Sequence, residues 1–164
     1  GDTIRELLHY TDGKFASVTA LEPDRRSFRK LNEWASANIT GDVTLVQAGA
    51  WNEDTVKCFT DQAGRQSRVA GQGKETQMRA LDSVLSGHPC TYLKMDVEGA
   101  EREAIAGAEK TIRQYAPRLN IAAYHRSEDF FQLPLLIHAL QPSYRLYLRH
   151  HPYVPAWDTN LYAI

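Results

Sequence analysis

The chain has 164 residues, of which 43% are hydrophobic and 24% charged, and its net charge at pH 7 is −1. This length and composition are those of one ordinary globular domain, so we expect a single domain over residues 1–164. The near-neutral charge, without a lysine or arginine block, argues against nucleic-acid binding, and no apolar run approaches the roughly 18 residues of a membrane span. We expect a cytoplasmic protein without a signal peptide, with Cys58 and Cys90 reduced.

The first part of the chain alternates between helical and strand patterns. DTIRELLHYT (2–11) predicts an amphipathic helix, and FASVTALE (15–22) predicts a strand that ends at Glu22. PDRRSFRKLNEWASAN (23–38) predicts a helix with Pro23 in its first turn, and VTLVQAGAW (43–51) predicts one further strand. The polar, glycine-containing residues 52–76 predict a long loop with one short strand at VKCF (56–59).

The alternation continues in the second part until the last two strands. The predicted helices are RALDSVL (79–85), AEREAIAGAEKTIRQYA (100–116) and FQLPLLIHAL (131–140), and the predicted strands are TYLKMDV (91–97), RLNIAAYH (118–125), YRLYLRHH (144–151) and NLYAI (160–164). Such alternation predicts an α/β fold with a mainly parallel sheet and helices on both faces. Because no helix separates the last two strands, one of them must run antiparallel.

Polar or small residues follow each predicted strand, on the side where open α/β sheets bind ligands. Glu22 lies about 20 positions after Gly1, the spacing at which an acidic residue binds the ribose of a nucleotide in βαβ units. The alternative for Glu22 is a favourable charge at the start of the following helix.

Asp96 and Glu98 follow a buried strand and stop at Gly99. They could hold a cationic cofactor, bind a metal ion or cap the next helix, and Glu98 with Glu101 is also what interaction with the helix dipole alone would favour. His125 follows another strand and is either a general base, since its pKa is near neutrality, or a surface histidine.

Three further side chains have open roles. Trp51 could stack on an adenine or fill the edge of a core, and His150 and His151 could reach the same edge of the sheet.

The ordered set RALDSVL, YLKMDVEGAEREAIAGAEKTI, PRLNIAAYH, YRLYLRHH and NLYAI resembles the FkbM-type methyltransferases, which use S-adenosylmethionine. The most specific part is LKMDVEGAE followed by a helix with AIAGA, and the resemblance covers nearly the whole chain. It implies the class I methyltransferase fold, with a seven-stranded sheet, helices on both sides and an antiparallel last strand. It also implies that Glu22 holds the cofactor ribose, that Ala50 and Trp51 flank the adenine, and that Asp96 lies by the methionine end.

The chain departs from this family at its start. The family's core opens with a strand and a glycine-rich turn, of which Gly1, Asp2 and Thr3 remain here. We therefore expect a domain truncated at its N-terminus, with the first strand and most of the turn absent, and these three residues at the cofactor. Strand edges exposed in this way could drive self-association. Ala122 and Ala123 stand where many relatives carry an acid.

The function predicted from the resemblance is methyl transfer from S-adenosylmethionine to a hydroxyl of a sugar, polyketide or similar small metabolite. His125 is the first candidate for the base and Glu98 the second, and no metal is expected, although Asp96 and Glu98 could orient a divalent cation. The alternatives are a nicotinamide-dependent oxidoreductase and a non-catalytic binding domain that retains the fold.

Overall fold

The computed structural model describes residues 2–59, 74–151 and 158–164. The described helices are α1 Asp2–Tyr10, α2 Arg25–Asn38, α3 Leu81–Leu85, α4 Glu101–Ala106, α5 Glu109–Tyr115 and α6 Asp129–Leu140. The described strands are β1 Ser17–Leu21, β2 Asp42–Val46, β3 Gly49–Trp51, β4 Thr55–Phe59, β5 Lys74–Ala80, β6 Tyr92–Met95, β7 Arg118–Ala122, β8 Leu146–His150 and β9 Thr159–Ala163. None of the helices in these ranges is long and apolar enough to cross a membrane.

The chain divides into two compact units, Gly1–Gly49 and Ala50–Ile164. In the first unit, β1 and β2 pair in parallel and α2 connects them. Helix α2 begins after Asp24, whose side chain accepts a hydrogen bond from the Ser27 backbone N–H at 2.8 Å. Pro23 therefore precedes the cap and is not in the first turn as expected, because Asp24 supplies the stronger start signal.

The second unit contains a four-stranded sheet in the order β6-β7-β9-β8. Strands β6 and β7 are parallel, and β9 runs antiparallel to both β7 and β8. The predicted antiparallel closing pair is thus confirmed, and so is the predicted alternation of helices and strands. The largest fully buried aliphatic side chains among the described residues of this unit are those of Ile105, Ile112, Leu119, Ile121, Leu133, Ile137 and Leu161.

A smaller sheet in the order β3-β5-β4 corrects the predictions for the middle of the chain. The single strand predicted at 43–51 is two strands, since the Ala48 N–H bonds back to the Val46 carbonyl at 2.9 Å and turns the chain. The short strand predicted at 56–59 is confirmed as β4. The predicted loop overlaps the start of a further strand, β5, which pairs antiparallel with β4. Arg79 and Ala80 belong to β5 and not to the following helix. The rest of the predicted loop, residues 60–73, lies outside the described residues.

The predicted helix over 100–116 is also interrupted, at Gly107 and Ala108. The side chain of Asp82, on α3, accepts hydrogen bonds from the backbone N–H groups of Lys110 and Thr111 at 2.9 Å and from the Thr111 hydroxyl at 2.7 Å. Asp82 thus provides the N-terminal cap that Ala108 lacks. Among the described strands there are three hydrogen-bonded sheets, where the resemblance implied one of seven strands.

Candidate functional site

The neighbouring parallel strands β6 and β7 end at the same edge of their sheet. Asp96 directly follows β6, and His125 lies just beyond the end of β7. The structure brings these two predicted residues together with Glu98 and Glu101, and we call these four residues the acid–histidine cluster. The cluster lies where α/β sheets bind ligands.

A tight turn between β6 and α4 places the acidic side chains of the cluster. Glu98 has a φ of +55° and Gly99 a φ of +95°, both in the left-handed region. This conformation is free of strain for glycine but costs another residue roughly 1–2 kcal/mol. A Cβ on Gly99 would meet Arg126 Nε at 3.4 Å and His125 Cβ at 3.7 Å, which are ordinary contact distances, so the positive φ and not a lack of space favours glycine here. Strained non-glycine residues often occur at functional sites.

His125 is at the centre of the cluster, and its side chain is 11% exposed. Its Nδ1 lies 2.8 Å from Glu101 Oε1, while its Nε2 lies 3.3 Å from Glu98 Oε2 and 3.5 Å from Asp96 Oδ1. Within the described part of the chain, Nε2 has no hydrogen-bond partner. The Asp96 carboxylate also accepts from the Tyr124 hydroxyl, at 3.3 Å and 3.4 Å.

The electrostatics of the cluster favour a charged imidazole. Burial alone lowers the pKa of His125, but the hydrogen bond to Glu101 and the charges of Glu101, Asp96 and Glu98 outweigh it, so the pKa is raised above its ordinary value. Burial likewise acts to raise the pKa of Glu101, but its interactions with His125 and its backbone hydrogen bonds dominate and lower that pKa. Both directions describe the same buried ion pair.

The cluster also contains atoms that metals use as ligands. One atom each from Asp96, Glu101 and His125 lie within 4.8 Å of one another. The hydrogen bond of 2.8 Å between His125 Nδ1 and Glu101 Oε1 joins two members of this set directly. A cation bound by those two atoms would therefore have to replace that hydrogen bond.

The predicted adenine contacts, Ala50 and Trp51, lie on β3 and are partly exposed. The Lys57 ammonium lies 5.4 Å from the centroid of the Trp51 ring, a cation–π distance. The structure thus places the indole at a surface with a positive group over it.

The predicted ribose ligand, Glu22, directly follows β1, where its backbone N–H donates to the Val46 carbonyl at 3.1 Å. Its side-chain Oε1 accepts from the Asp24 N–H at 2.9 Å, so the carboxylate also supports the entry to α2. Thr3 is exposed within α1 and Asp2 begins that helix, whereas Gly1 lies outside the described residues.

Sequence reasoning missed Glu101 as a member of the site. It was assigned to the first turn of a helix, which is confirmed, but as a helix-end charge, whereas its side chain is 0% exposed. The signal was present, because Glu101 shares the i, i+3, i+4 face of Ala104 and Ile105, both buried. A carboxylate on an apolar face needs a partner, and here the partner is His125.

His150 and His151 make their described contacts outside the acid–histidine cluster. His150 Nδ1 lies 3.1 Å from Thr159 Oγ1, and His151 Nε2 lies 3.1 Å from the Tyr162 hydroxyl. Both contacts join β9 to the end of β8, so they are cross-strand interactions of the sheet.

These ionisable groups lie at the carboxyl edge of a Rossmann-like α/β fold, the class of domain to which the FkbM methyltransferases belong. The model of the methyltransferase FkbM domain family matches residues 2–155. The chain therefore belongs to the FkbM methyltransferase domain family.

A solved relative supports this assignment. The crystal structure of a methyltransferase FkbM from Methylobacillus flagellatus KT, at 2.20 Å resolution, superimposes with a TM-score of 0.82 and 31% sequence identity. The match covers 100% of this chain and 40% of that one, so the chain spans well under half of the length of its relative. None of the curated proteins matches the chain at a significant level.

Proposed function

We propose that this domain transfers a methyl group from S-adenosylmethionine to a hydroxyl of a small molecule such as a sugar or polyketide. The observation that carries the proposal is the acid–histidine cluster at the carboxyl edge of β6 and β7, in a chain of the FkbM methyltransferase family. When bound, S-adenosylmethionine supplies an electrophilic methyl carbon on a positively charged sulfur, which leaves with the electron pair of the broken bond.

The residues present fit such a cofactor in their chemistry. Asp96 is 43% exposed at the strand end, so its carboxylate is available to the positively charged methionine portion. Glu22 offers a carboxylate of the kind that binds ribose hydroxyls, and Ala50 and Trp51 offer an apolar surface for adenine. These assignments, with Gly1, Asp2 and Thr3 as further cofactor contacts, come from the family resemblance and form part of the proposal.

His125 is the proposed base. Its Nε2 would take the proton of the acceptor hydroxyl, and the resulting imidazolium would be stabilised by the carboxylates of Asp96, Glu98 and Glu101. General base catalysis contributes typically about 10²- to 10⁴-fold, while alignment of the reactants can supply roughly 7–11 kcal/mol. Glu98 is the second candidate for the base, since its carboxylate is 39% exposed at the same edge.

The test begins with calorimetric titration of the chain with S-adenosylmethionine and, separately, with NAD. We expect S-adenosylmethionine to bind more tightly than NAD, even where the 164-residue chain alone binds it weakly, and binding of NAD alone would overturn the proposal in favour of an oxidoreductase. A panel of hydroxylated sugars and polyketides is then screened for formation of S-adenosylhomocysteine, with and without EDTA. Turnover that persists in EDTA supports the metal-free mechanism, whereas turnover lost in EDTA and restored by a divalent cation contradicts it.

A further inference from the structure

Glu101 is a carboxylate in a position where carboxylates are rarely found. Its side chain is 0% exposed and lies on the face of α4 that also buries Ala104 and Ile105. Burial of an ionised carboxylate costs several kcal/mol unless hydrogen bonds and an opposite charge compensate it. The apolar packing of α4 alone would be served better by leucine or methionine, so the carboxylate has to be explained by what it binds.

Two groups donate hydrogen bonds to a single oxygen of Glu101. Oε1 is 2.8 Å from His125 Nδ1 and 3.1 Å from the backbone N–H of Val97. The Val97 N–H lies in the turn that contains Glu98 and Gly99, so this bond fixes the carboxylate to the end of β6. The strained turn and the buried acid therefore form one unit that supports the imidazole.

We propose that Glu101 is the positioning residue for His125, holding the proton on Nδ1 so that Nε2 is the nitrogen that accepts a proton. An ionised carboxylate can only accept hydrogen bonds, so Nδ1 must be the protonated nitrogen of the neutral ring. The unprotonated Nε2 then faces Glu98 Oε2 and Asp96 Oδ1. The inference rests on the proposed function, because it assigns Glu101 a part in proton transfer from an acceptor.

The surroundings of the ring make Nε2 an effective proton acceptor. The charged and titratable groups around it are Asp96 and Glu98 after β6, Glu101 on α4, and Tyr124, whose ring centroid is 4.3 Å from that of His125. Arg126 follows it in sequence, and its Nε approaches Gly99. Three carboxylates face one imidazole, so the protonated ring is favoured by charge as well as by the hydrogen bond. Buried carboxylates hold histidine bases in the required tautomer in the same way in hydrolytic enzymes.

Histidine ¹⁵N NMR of the 164-residue chain tests the inference without any substrate. The chain has six histidines, and the signal of His125 is assigned by its loss in His125→Gln. In the wild type at alkaline pH, we expect the neutral His125 ring to be protonated on Nδ1. In Glu101→Gln, whose amide oxygen can still accept from Nδ1, the tautomer should persist while the pKa of His125 falls. Glu109→Gln, the same change at an exposed position of α5, should leave both the tautomer and the pKa of His125 unchanged.

A wild-type ring protonated on Nε2, or an unchanged pKa of His125 in Glu101→Gln, would overturn the inference. The wild-type tautomer decides the first point even if the variant does not fold. Because the measurement uses no cofactor or acceptor, its result is independent of the proposed function. An Nδ1–H tautomer in a protein that binds no S-adenosylmethionine would leave the positioning by Glu101 intact and refute the methyl transfer.

Discussion

A Cβ atom on Gly107 would lie 1.9 Å from the backbone carbonyl oxygen of Trp51, far inside the contact distance of the two atoms. The break between α4 and α5 therefore packs against β3 backbone to backbone. The Cα of Ala80, on β5, lies 3.2 Å from the same Cβ position, so neither strand leaves space for a side chain. This contact fixes the backbone of Trp51, the candidate adenine ligand.

Gly107→Ala should destabilise the protein strongly, because rigid backbone and not a mobile side chain occupies the space. Overpacking of this kind costs about 1–3 kcal/mol and sometimes more. Gly87→Ala is the matched control, since Gly87 has a φ of +82° with nothing within 4 Å of its Cβ position. That variant should lose roughly 1–2 kcal/mol through backbone strain, without any contribution from a clash. Urea unfolding measures both, and equal midpoints would show that the β3 backbone moves away at little cost.

Asp82→Ala should also destabilise the protein, by removing three hydrogen bonds that begin α5. Loss of a capping carboxylate costs about 0.5–2 kcal/mol, and the donors of buried Thr111 that are left without a partner add to this. Asp82→Asn, which keeps one acceptor oxygen, should lie between the wild type and the alanine variant. Ser83→Ala, at the exposed neighbouring position, is the control. A thermal melt of Asp82→Ala like that of the control would contradict the capping role.

The alternation of helices and strands and the antiparallel closing pair could be predicted because local patterns specify them. A short apolar run predicts strand β6, and Gly99 indicates the turn that follows. Strand β5 could not be found in this way, since its sequence KETQMRA is polar and its pairing with β4 holds it in place. The break at Gly107 has its cause in the backbone of a distant strand, which no local pattern reveals.

The site was predictable in part for a related reason. The carboxyl ends of parallel strands meet at one edge of the sheet, so Asp96, Glu98 and His125 could be predicted to lie at the same edge, as they do in the structure. Glu101 was read as a helix-end charge, because its first-turn position satisfies that explanation fully. Only the tertiary contact with His125 distinguishes the two explanations.

The His125–Glu101 pair should give the stability of the protein a defined pH dependence. The raised pKa of His125 contributes stability that is complete below its ordinary value of 6.5 and is lost as the pH rises through the raised pKa. The lowered pKa of Glu101 contributes stability that is complete above its ordinary value of 4.5 and is lost as the pH falls through the lowered pKa. The wild type should therefore exceed His125→Gln in free energy of unfolding most between pH 4.5 and 6.5.

Denaturant unfolding across that range measures this difference directly. His138→Gln, a change of the same kind on α6 at an exposed position, should show no comparable maximum. A difference between His125→Gln and the wild type that stays constant with pH would mean that the two groups do not form an ion pair.

The stability of Asp129→Asn relative to that of the wild type should increase as the pH rises. The Asp129 side chain is 1% exposed, and neither of its oxygens has a hydrogen-bond partner in the described residues. Burial first, and then the charge of Glu101, raise its pKa, although Arg102 and Arg126 act in the opposite direction. A carboxylate with a raised pKa destabilises the folded state increasingly as the pH rises from the ordinary value of 3.8 through the raised one.

The neutral amide avoids that cost, so the melting temperature of Asp129→Asn minus that of the wild type should grow from acidic to alkaline buffer. Asp42→Asn, the same change at an exposed position on β2, should show a flat difference. If Asp129→Asn instead loses stability most at alkaline pH, the ion pair of Asp129 Oδ1 with Arg102 Nε, at 3.6 Å, outweighs the burial of the charge.

Substitutions at Glu22 should separate its proposed cofactor role from its structural one. Oε1 accepts from the Asp24 N–H at 2.9 Å, so Glu22→Ala removes support for the start of α2 as well as the carboxylate. Glu22→Gln keeps an acceptor for Asp24 but removes the charge, and it should leave the melting temperature near that of the wild type.

If Glu22 binds the ribose hydroxyls, the loss of charge-assisted hydrogen bonds in Glu22→Ala costs about 1.5–3 kcal/mol, or roughly ten- to hundredfold in the Kd for S-adenosylmethionine. Glu22→Gln should weaken binding by a smaller factor. Glu33→Gln is the control and should not weaken binding, since Glu33 lies on α2 and its Oε1 is 3.8 Å from Arg29 Nε. Calorimetric titration of the three variants provides the comparison, and a Kd in Glu22→Ala equal to that of the wild type would leave Glu22 with only its hydrogen bond to Asp24.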